Sequence, residues 1–347
     1  MITSLRSAHV LAVRLDSDGD VLLTGPAVRV MAATAGSVDL LASPAAAGAG
    51  ALLPGVRTVL QFDAPWAGYT PTPVEPAQVD RLVDELAAQR YDAAVIFTSD
   101  HQSPLPMALL ARLAGIPLIA ATSEDYPGSL LDVRHRRPAG MHEVEAALDL
   151  VRAAGFPTPR PLDQRLAVRG PLPSAADLVP PGPYVVVHPG ASVPSRAPTP
   201  AHAREIVAEL GRRGHQVVVT GGPRERSLAA AVSAGQPHVR DLGGRTTLAS
   251  LAAVLAGADC VIAGNTGPAH LSAAVGTPVV SLFSPVVPAQ RWAPWGVASV
   301  VLGDQQAPCA GSRARVCPVP GHPCLTAVPP QQVADAAESL IRAEVLT

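Results

Sequence analysis

Through the first 150 residues, short apolar runs alternate with longer stretches in which apolar positions return every three or four residues. Runs of about four to eight apolar residues bounded by turn residues read as strands buried on both faces, and the three-to-four spacing reads as helices lying over them. Residues 9–15 (HVLAVRL) predict a strand, 16–20 (DSDGD) a loop, and 21–33 (VLLTGPAVRVMAA) a helix. Further strands are predicted at 38–42, 58–62, 93–98 and 117–121, with helices at 76–89, 105–113 and 141–154. Such alternation predicts an α/β chain with a doubly wound parallel sheet.

The pattern restarts after residues 157–183, whose many prolines predict an interdomain linker. A strand at 184–188 (YVVVH) is followed by the loop PGASVPSRAP, a helix at 200–213, and a strand at 216–220 that runs into GGP. A helix at 248–256, a strand at 259–263, the loop GNTGPAH, a short helix and a strand at 278–283 complete a second alternation. Residues 284–330 read as irregular, and a final helix is predicted at 330–345. The expected organisation is one Rossmann-like domain at 1–170, a second at 171–329, and a C-terminal helix at 330–347 that packs back on the N-terminal domain. Ligands of such sheets bind at the carboxyl ends of the strands, so a cleft between two parallel sheets is the expected site.

Composition narrows the partners. A chain of 347 residues, 48% hydrophobic and 16% charged, suits two buried α/β cores. The formal net charge of -2 gives no general attraction to nucleic acid. No run approaches the roughly 20 apolar residues that span a bilayer, which leaves peripheral association as the only membrane contact expected. Residues 1–13 lack the apolar core and cleavage site of a signal peptide, so a cytoplasmic protein is expected. Four cysteines in a chain of this length do not make a disulfide framework.

The chemistry is concentrated in loops that leave predicted strands. In GNTGPAH, Gly264 and Gly267 let a ligand approach the backbone. Asn265 and Thr266 offer polar groups, and the helix that follows offers unpaired N–H groups to an anion. The alternative is a tight turn in which Asn265 and Thr266 only cap the helix. In PGASVPSRAP, Ser192 and Ser195 are donors and Arg196 can pair with phosphate through its planar fork. In TGGPRER, Thr220 and Gly221 form a flexible strand exit and Glu225 can accept from ribose hydroxyls. Three loops at one sheet edge predict a nucleotide diphosphate site.

Two other clusters are open to more than one reading. Cys309, Cys317, His322 and Cys324 collect metal-ligating types in one irregular segment, without paired C-x-x-C spacing, and could equally be ordinary thiols and a structural histidine. Arg134, His135, Arg136 and Arg137 form a basic run that is either a solvated face or a contact for a phosphorylated or acidic acceptor. Cys260 falls inside a predicted strand and reads as core.

HPGAS with a basic residue after it, TGGP with a following glutamate, and GNTGPAHLSAAVGTPVVSLFSP together resemble the donor domain of glycosyltransferase family 9, which includes ADP-heptose lipopolysaccharide heptosyltransferases. LAVRLDSDGDVLLTGPAVR resembles the opening strand, glycine loop and helix of that family. The resemblance implies a GT-B fold, two Rossmann-like domains whose parallel sheets face a central cleft. It implies an inverting, metal-independent transferase that uses no cofactor and moves a sugar, expected to be heptose, from an NDP-sugar, expected to be ADP-heptose. The acceptor is a hydroxyl on a glycan, a lipid-linked glycan or a small molecule. It assigns Asp20 as the base and places Ser192, Arg196, Thr266 and Gly267 at the diphosphate, Glu225 at the ribose and His270 toward the sugar or phosphate. Asn265, Arg196 and Ala197 depart from the Asp, Lys and Trp of many relatives, which leaves the donor sugar open. Asp16 and Asp18 are rival bases, and Asp20 could simply face the helix dipole. Competing functions are a nucleotide-sugar binding module without catalysis and a GT-B epimerase or hydrolase. A dehydrogenase is disfavoured because DSDGD lacks the G-x-G-x-x-G run.

Overall fold

The computed structural model describes residues 7–68, 72–99, 101–158, 161 and 163–345. The signal-peptide reading of the N-terminus therefore falls partly outside the described residues, as does part of the predicted linker. The chain forms two compact units, residues 1–169 and 170–347.

The first unit contains β1 (His9–Arg14), α1 (Asp18–Ala32), β2 (Ser37–Ala42), α2 (Ala47–Leu52), β3 (Val59–Gln61), α3 (Pro76–Gln89), β4 (Ala93–Phe97), α4 (Leu105–Leu113), β5 (Leu118–Thr122), β6 (Val133–His135) and α5 (Glu143–Ala153). Its six strands are ordered β3-β2-β1-β4-β5-β6, and every pairing is parallel. The central strand β1 carries Val10, Leu11, Ala12 and Val13, none with exposed surface, as expected of a strand covered by helices on both faces. Arg134 and His135 of the basic run 134–137 lie in the edge strand β6. Its polar residues fit an edge strand, and the alternation of apolar residues that would reveal a strand is absent.

The second unit contains β7 (Tyr184–His188), α6 (Pro200–Arg212), β8 (Gln216–Val219), α7 (Arg226–Ser233), β9 (Val239–Asp241), α8 (Leu248–Ala256), β10 (Cys260–Gly264), α9 (Gly267–Val275), β11 (Val279–Leu282), α10 (Ala289–Trp292), β12 (Ser299–Leu302), α11 (Pro323–Thr326) and α12 (Pro330–Val345). Its sheet runs β12-β11-β10-β7-β8-β9, again all parallel. Both sheets therefore have the strand order 3-2-1-4-5-6 of a dinucleotide fold, counted within each unit. Two such Rossmann-like units in one chain are what the alternation along the sequence predicts. Cys260 is fully buried in β10.

One expectation is corrected. Helix α12 turns Val333, Ala334, Ala337 and Leu340 into the core of the second unit, beside Ile206 and Leu210 of α6. The apolar face that was expected to cover the N-terminal domain is thus filled by its own unit. Arg213 reinforces this packing through its Nη1, 2.6 Å from Asp335 Oδ1. No helix among the described residues is long and apolar enough to cross a membrane.

Candidate active site

In each unit the strand order reverses beside the first strand, between β1 and β4 and between β7 and β10. Loops leaving adjacent strands in opposite directions open a crevice at such a point.

At the first crevice, β1 ends on Arg14, a guanidinium that is 3% exposed. Its Nε lies 2.8 Å from Asp16 Oδ2, and its Nη2 donates to Asp20 Oδ1 at 3.1 Å and to Ser99 Oγ at 3.0 Å. Burial pulls the Arg14 pKa down, but Asp16, Asp20 and Glu143 outweigh it and the net shift is upward. Glu143 opens α5, where a carboxylate meets the positive end of the helix, and Arg137 Nη1 donates to it at 2.5 Å. Asp20 sits in the first turn of α1 with its Oδ2 accepting from Ser17 Oγ at 2.8 Å, and its side chain remains 19% exposed.

The two rival carboxylates are placed differently. Asp16 accepts from Gln102 Nε2 at 2.5 Å and from Ser99 Oγ at 3.3 Å in addition to its pair with Arg14, so it shapes the turn. Asp18 has a buried Oδ1 without a hydrogen-bond partner, and burial pushes its pKa up to about 6.

At the second crevice, three loops meet through close approaches that only glycine permits. A Cβ added to Gly190 would overlap the Glu225 carboxylate, which joins the loops after β7 and β8. One added to Gly264 would overlap the backbone oxygen of Arg196, which joins the loops after β7 and β10. Glu225 Oε2 accepts from Gly222 N at 2.7 Å and lies 3.6 Å from His188 Nε2. His188 Nδ1 is 3.0 Å from Thr220 Oγ1, and burial lowers the histidine pKa against the opposing pull of Glu225. The Thr220 hydroxyl, fully buried, therefore orients His188 and is not open to a ligand.

Thr266 occupies the position before α9, yet its side chain makes no capping bond. Its Oγ1 and Asn265 Nδ2 are both buried without a hydrogen-bond partner, and so is Arg196 Nε. The capping alternative for this loop is thus not realised. Buried polar atoms are normally satisfied, and three unsatisfied groups able to donate, close to the free N–H groups of a helix, form a site prepared for an anion. Gly267 begins α9 and His270 follows within its first turns, 4% exposed. Ser192 is exposed, whereas Ser195 is withdrawn from the site because its Oγ donates to Ala314 O at 2.5 Å.

Among the described residues no group of three or more His, Cys, Asp or Glu side chains is placed to hold a metal ion. Cys309 and Cys324 belong to the second core, and burial pushes the Cys324 thiol up to about 11. His322 is buried at the start of α11, its backbone in the left-handed region at φ 55.

The sequence model of Glycosyltransferase family 9 (heptosyltransferase) matches residues 79–322. The chain belongs to glycosyltransferase family 9. It is 29% identical over 359 aligned positions to lipopolysaccharide heptosyltransferase 1 of Pseudomonas aeruginosa, covering 96% of this chain and 98% of that protein. The structure of E. coli ADP-heptose lps heptosyltransferase II superposes with a TM-score of 0.76 at 22% identity, covering 97% of this chain and 99% of that one. A family 9 glycosyltransferase from Veillonella parvula DSM 2008 gives 0.77 at 17% identity, covering 98% and 99%.

In this family 9 glycosyltransferase the sequence motifs mark the loops, but not which groups brace them. Ser99 and Glu143 are in no motif, and Arg14 and His188 stand within LAVRLDSDGD and HPGAS without a role that the motifs assign. The one available signal was a charged residue ending an otherwise apolar strand, as Arg14 ends β1 and His188 ends β7.

Proposed function

We propose that this glycosyltransferase moves a heptose from ADP-heptose to an acceptor hydroxyl with inversion at the anomeric carbon and without a metal ion. The observation that carries the donor half is the pair of unpartnered buried groups, Asn265 Nδ2 and Thr266 Oγ1, at the start of α9. A diphosphate would accept from them, from the free N–H groups around Gly267 and from Arg196, so that charge on the departing nucleotide is met by fixed donors. Ser192 supplies a further donor at the rim. The Glu225 oxygen that does not cap Gly222 would accept from the ribose, beside Gly221. His270, on the buried side of α9, would contact the sugar or its phosphate.

In the acceptor half Asp20 is the base. It keeps partial exposure, while Asp16 is enclosed by Arg14, Ser99 and Gln102 and one oxygen of Asp18 is buried. As the acceptor oxygen attacks the anomeric carbon, Asp20 takes its proton and the bond to the nucleotide diphosphate breaks. One carboxylate acting in one displacement inverts the configuration. ADP is the favoured nucleotide because E. coli ADP-heptose lps heptosyltransferase II is similar over nearly the whole chain.

The test is calorimetric titration of ADP, UDP and GDP against the wild type and Thr266→Ala, followed by transfer assays on Asp20→Ala with and without EDTA. Selective ADP binding that Thr266→Ala weakens, and EDTA-insensitive transfer that Asp20→Ala abolishes, are expected. Absence of nucleotide binding, or normal turnover by Asp20→Ala, overturns the reading.

A further inference from the structure

The register of β7 on β8 sets Val187 opposite Val219, so the next residues, His188 and Thr220, leave the sheet side by side. Both are enclosed, His188 at 5% exposure and Thr220 with no exposed surface. His188 Nδ1 lies 3.0 Å from Thr220 Oγ1, and Nε2 lies 3.6 Å from Glu225 Oε2. The imidazole thus stands between a buried hydroxyl and a carboxylate whose side chain keeps 24% exposure.

This placement selects one tautomer. Burial favours the neutral ring, which carries a single proton on one of its two nitrogens. A lone pair on Nε2 would face the Glu225 carboxylate and be repelled, whereas an N–H there is attracted, although 3.6 Å is beyond hydrogen-bond reach. With the proton on Nε2, Nδ1 is the acceptor and the Thr220 hydroxyl donates to it. The carboxylate is then held unevenly. Oε2 faces His188 and accepts from Gly222 N at 2.7 Å. Oε1 has no hydrogen bond among the described residues and lies over Gly190, where an added Cβ would overlap it.

Resting on the reading that Glu225 accepts from the ribose, we propose that His188 is a positioning residue for donor recognition. With Thr220 behind it, it commits Oε2 to the protein and presents Oε1 to a ribose hydroxyl. A glutamate seated on glycine alone could rotate away and would lose that freedom on binding. The imidazole wall removes the alternative, so the residue acts on selection of ribose over deoxyribose without touching the nucleotide.

The test is calorimetric binding of ADP, 2′-deoxy-ADP and 3′-deoxy-ADP to the wild type, Glu225→Ala, His188→Phe and His188→Gln. The wild type is expected to bind ADP at least about 10-fold more tightly than one of the deoxy nucleotides, the scale of a hydrogen bond to a charged group. Glu225→Ala and His188→Phe should bring that ratio below about 3-fold by weakening ADP alone. His188→Gln places an amide N–H where Nε2–H stood and should keep most of the ratio. A ratio kept by His188→Phe, with all three nucleotides weakened equally or not at all, overturns the role of His188, as does a ratio that both His188 variants lose alike. Absence of any preference in the wild type, or a preference that Glu225→Ala keeps, overturns the ribose reading of Glu225 and this proposal with it. Thermal melting confirms that each variant is folded.

Discussion

Arg14 Nη2 donates to Asp20 Oδ1 at 3.1 Å from a position that solvent scarcely reaches. The same guanidinium pairs with Asp16 and lies 3.8 Å from Glu143, so one cation is shared by three carboxylates of which only Asp20 keeps appreciable exposure. Removing one partner of a buried ion pair leaves the others uncompensated, at a cost of about 3–5 kcal/mol. Arg14→Ala is therefore expected to lower stability by about that amount. Arg14→Lys keeps the charge but not the fork, and should reduce kcat by about 10- to 100-fold while the KM for donor changes little. Chemical denaturation and steady-state kinetics check the two outcomes.

Thr266→Val separates ligand binding from helix capping. Because Oγ1 makes no bond within the protein, removing it should leave the melting temperature unchanged or slightly higher. Loss of a hydrogen bond to a charged phosphate should weaken ADP by about 10- to 100-fold. A capping threonine would behave in the opposite way, losing about 1 kcal/mol of stability with little effect on ADP.

Gly190→Ala is expected to push the Glu225 carboxylate off its seat, since the new methyl would overlap it. Glu225 is a movable side chain, so the fold should survive while nucleotide affinity falls about 10-fold, or about 1.4 kcal/mol. Gly264→Ala meets the Arg196 backbone oxygen, which cannot swing aside, and should cost both affinity and stability. Calorimetry with ADP and melting curves on the two variants distinguish these effects.

The Asp18 carboxyl gives a pH signature. Its folded pKa of about 6 stands above the ordinary carboxyl value of 3.8, so the folded state binds the extra proton between those values. Stability from this group is complete below pH 4 and is lost as pH rises through about 6, amounting to about 2 to 3 kcal/mol. Asp18→Asn should therefore stabilise the protein at pH 7.5 and do little at pH 4. Melting temperatures measured across that range would contradict this if the variant and wild type ran parallel.

The sheet strands were legible wherever burial on both faces forces an unbroken apolar run, as in residues 184–188 and 259–263. Strands β6, β9 and β12 were not, because edge strands are short and half-covered, and Val133, Arg240 and Ser299 carry no alternation strong enough to read. The donor loops were legible because glycine and proline punctuate them. What those glycines contact was not, since Gly190 meets Glu225 and Gly264 meets Arg196 only after distant strands are laid side by side. The brace around Asp20 was hidden for the same reason: Ser99 and Glu143 reach Arg14 from 85 and 129 positions further along the chain. The C-terminal helix was read correctly as a helix, but the choice of core for its apolar face depends on α6, which sequence periodicity cannot weigh.

The contact between Gly264 and Arg196 separates two jobs that usually sit in one residue. The loop after β7 is pinned to the loop after β10 by the carbonyl oxygen at position 196, which every amino acid possesses, and not by the guanidinium. The side chain at 196 can therefore be exchanged as a tuning element for the leaving group, with lysine, glutamine or histidine in its place, while the frame that aims it stays where it is.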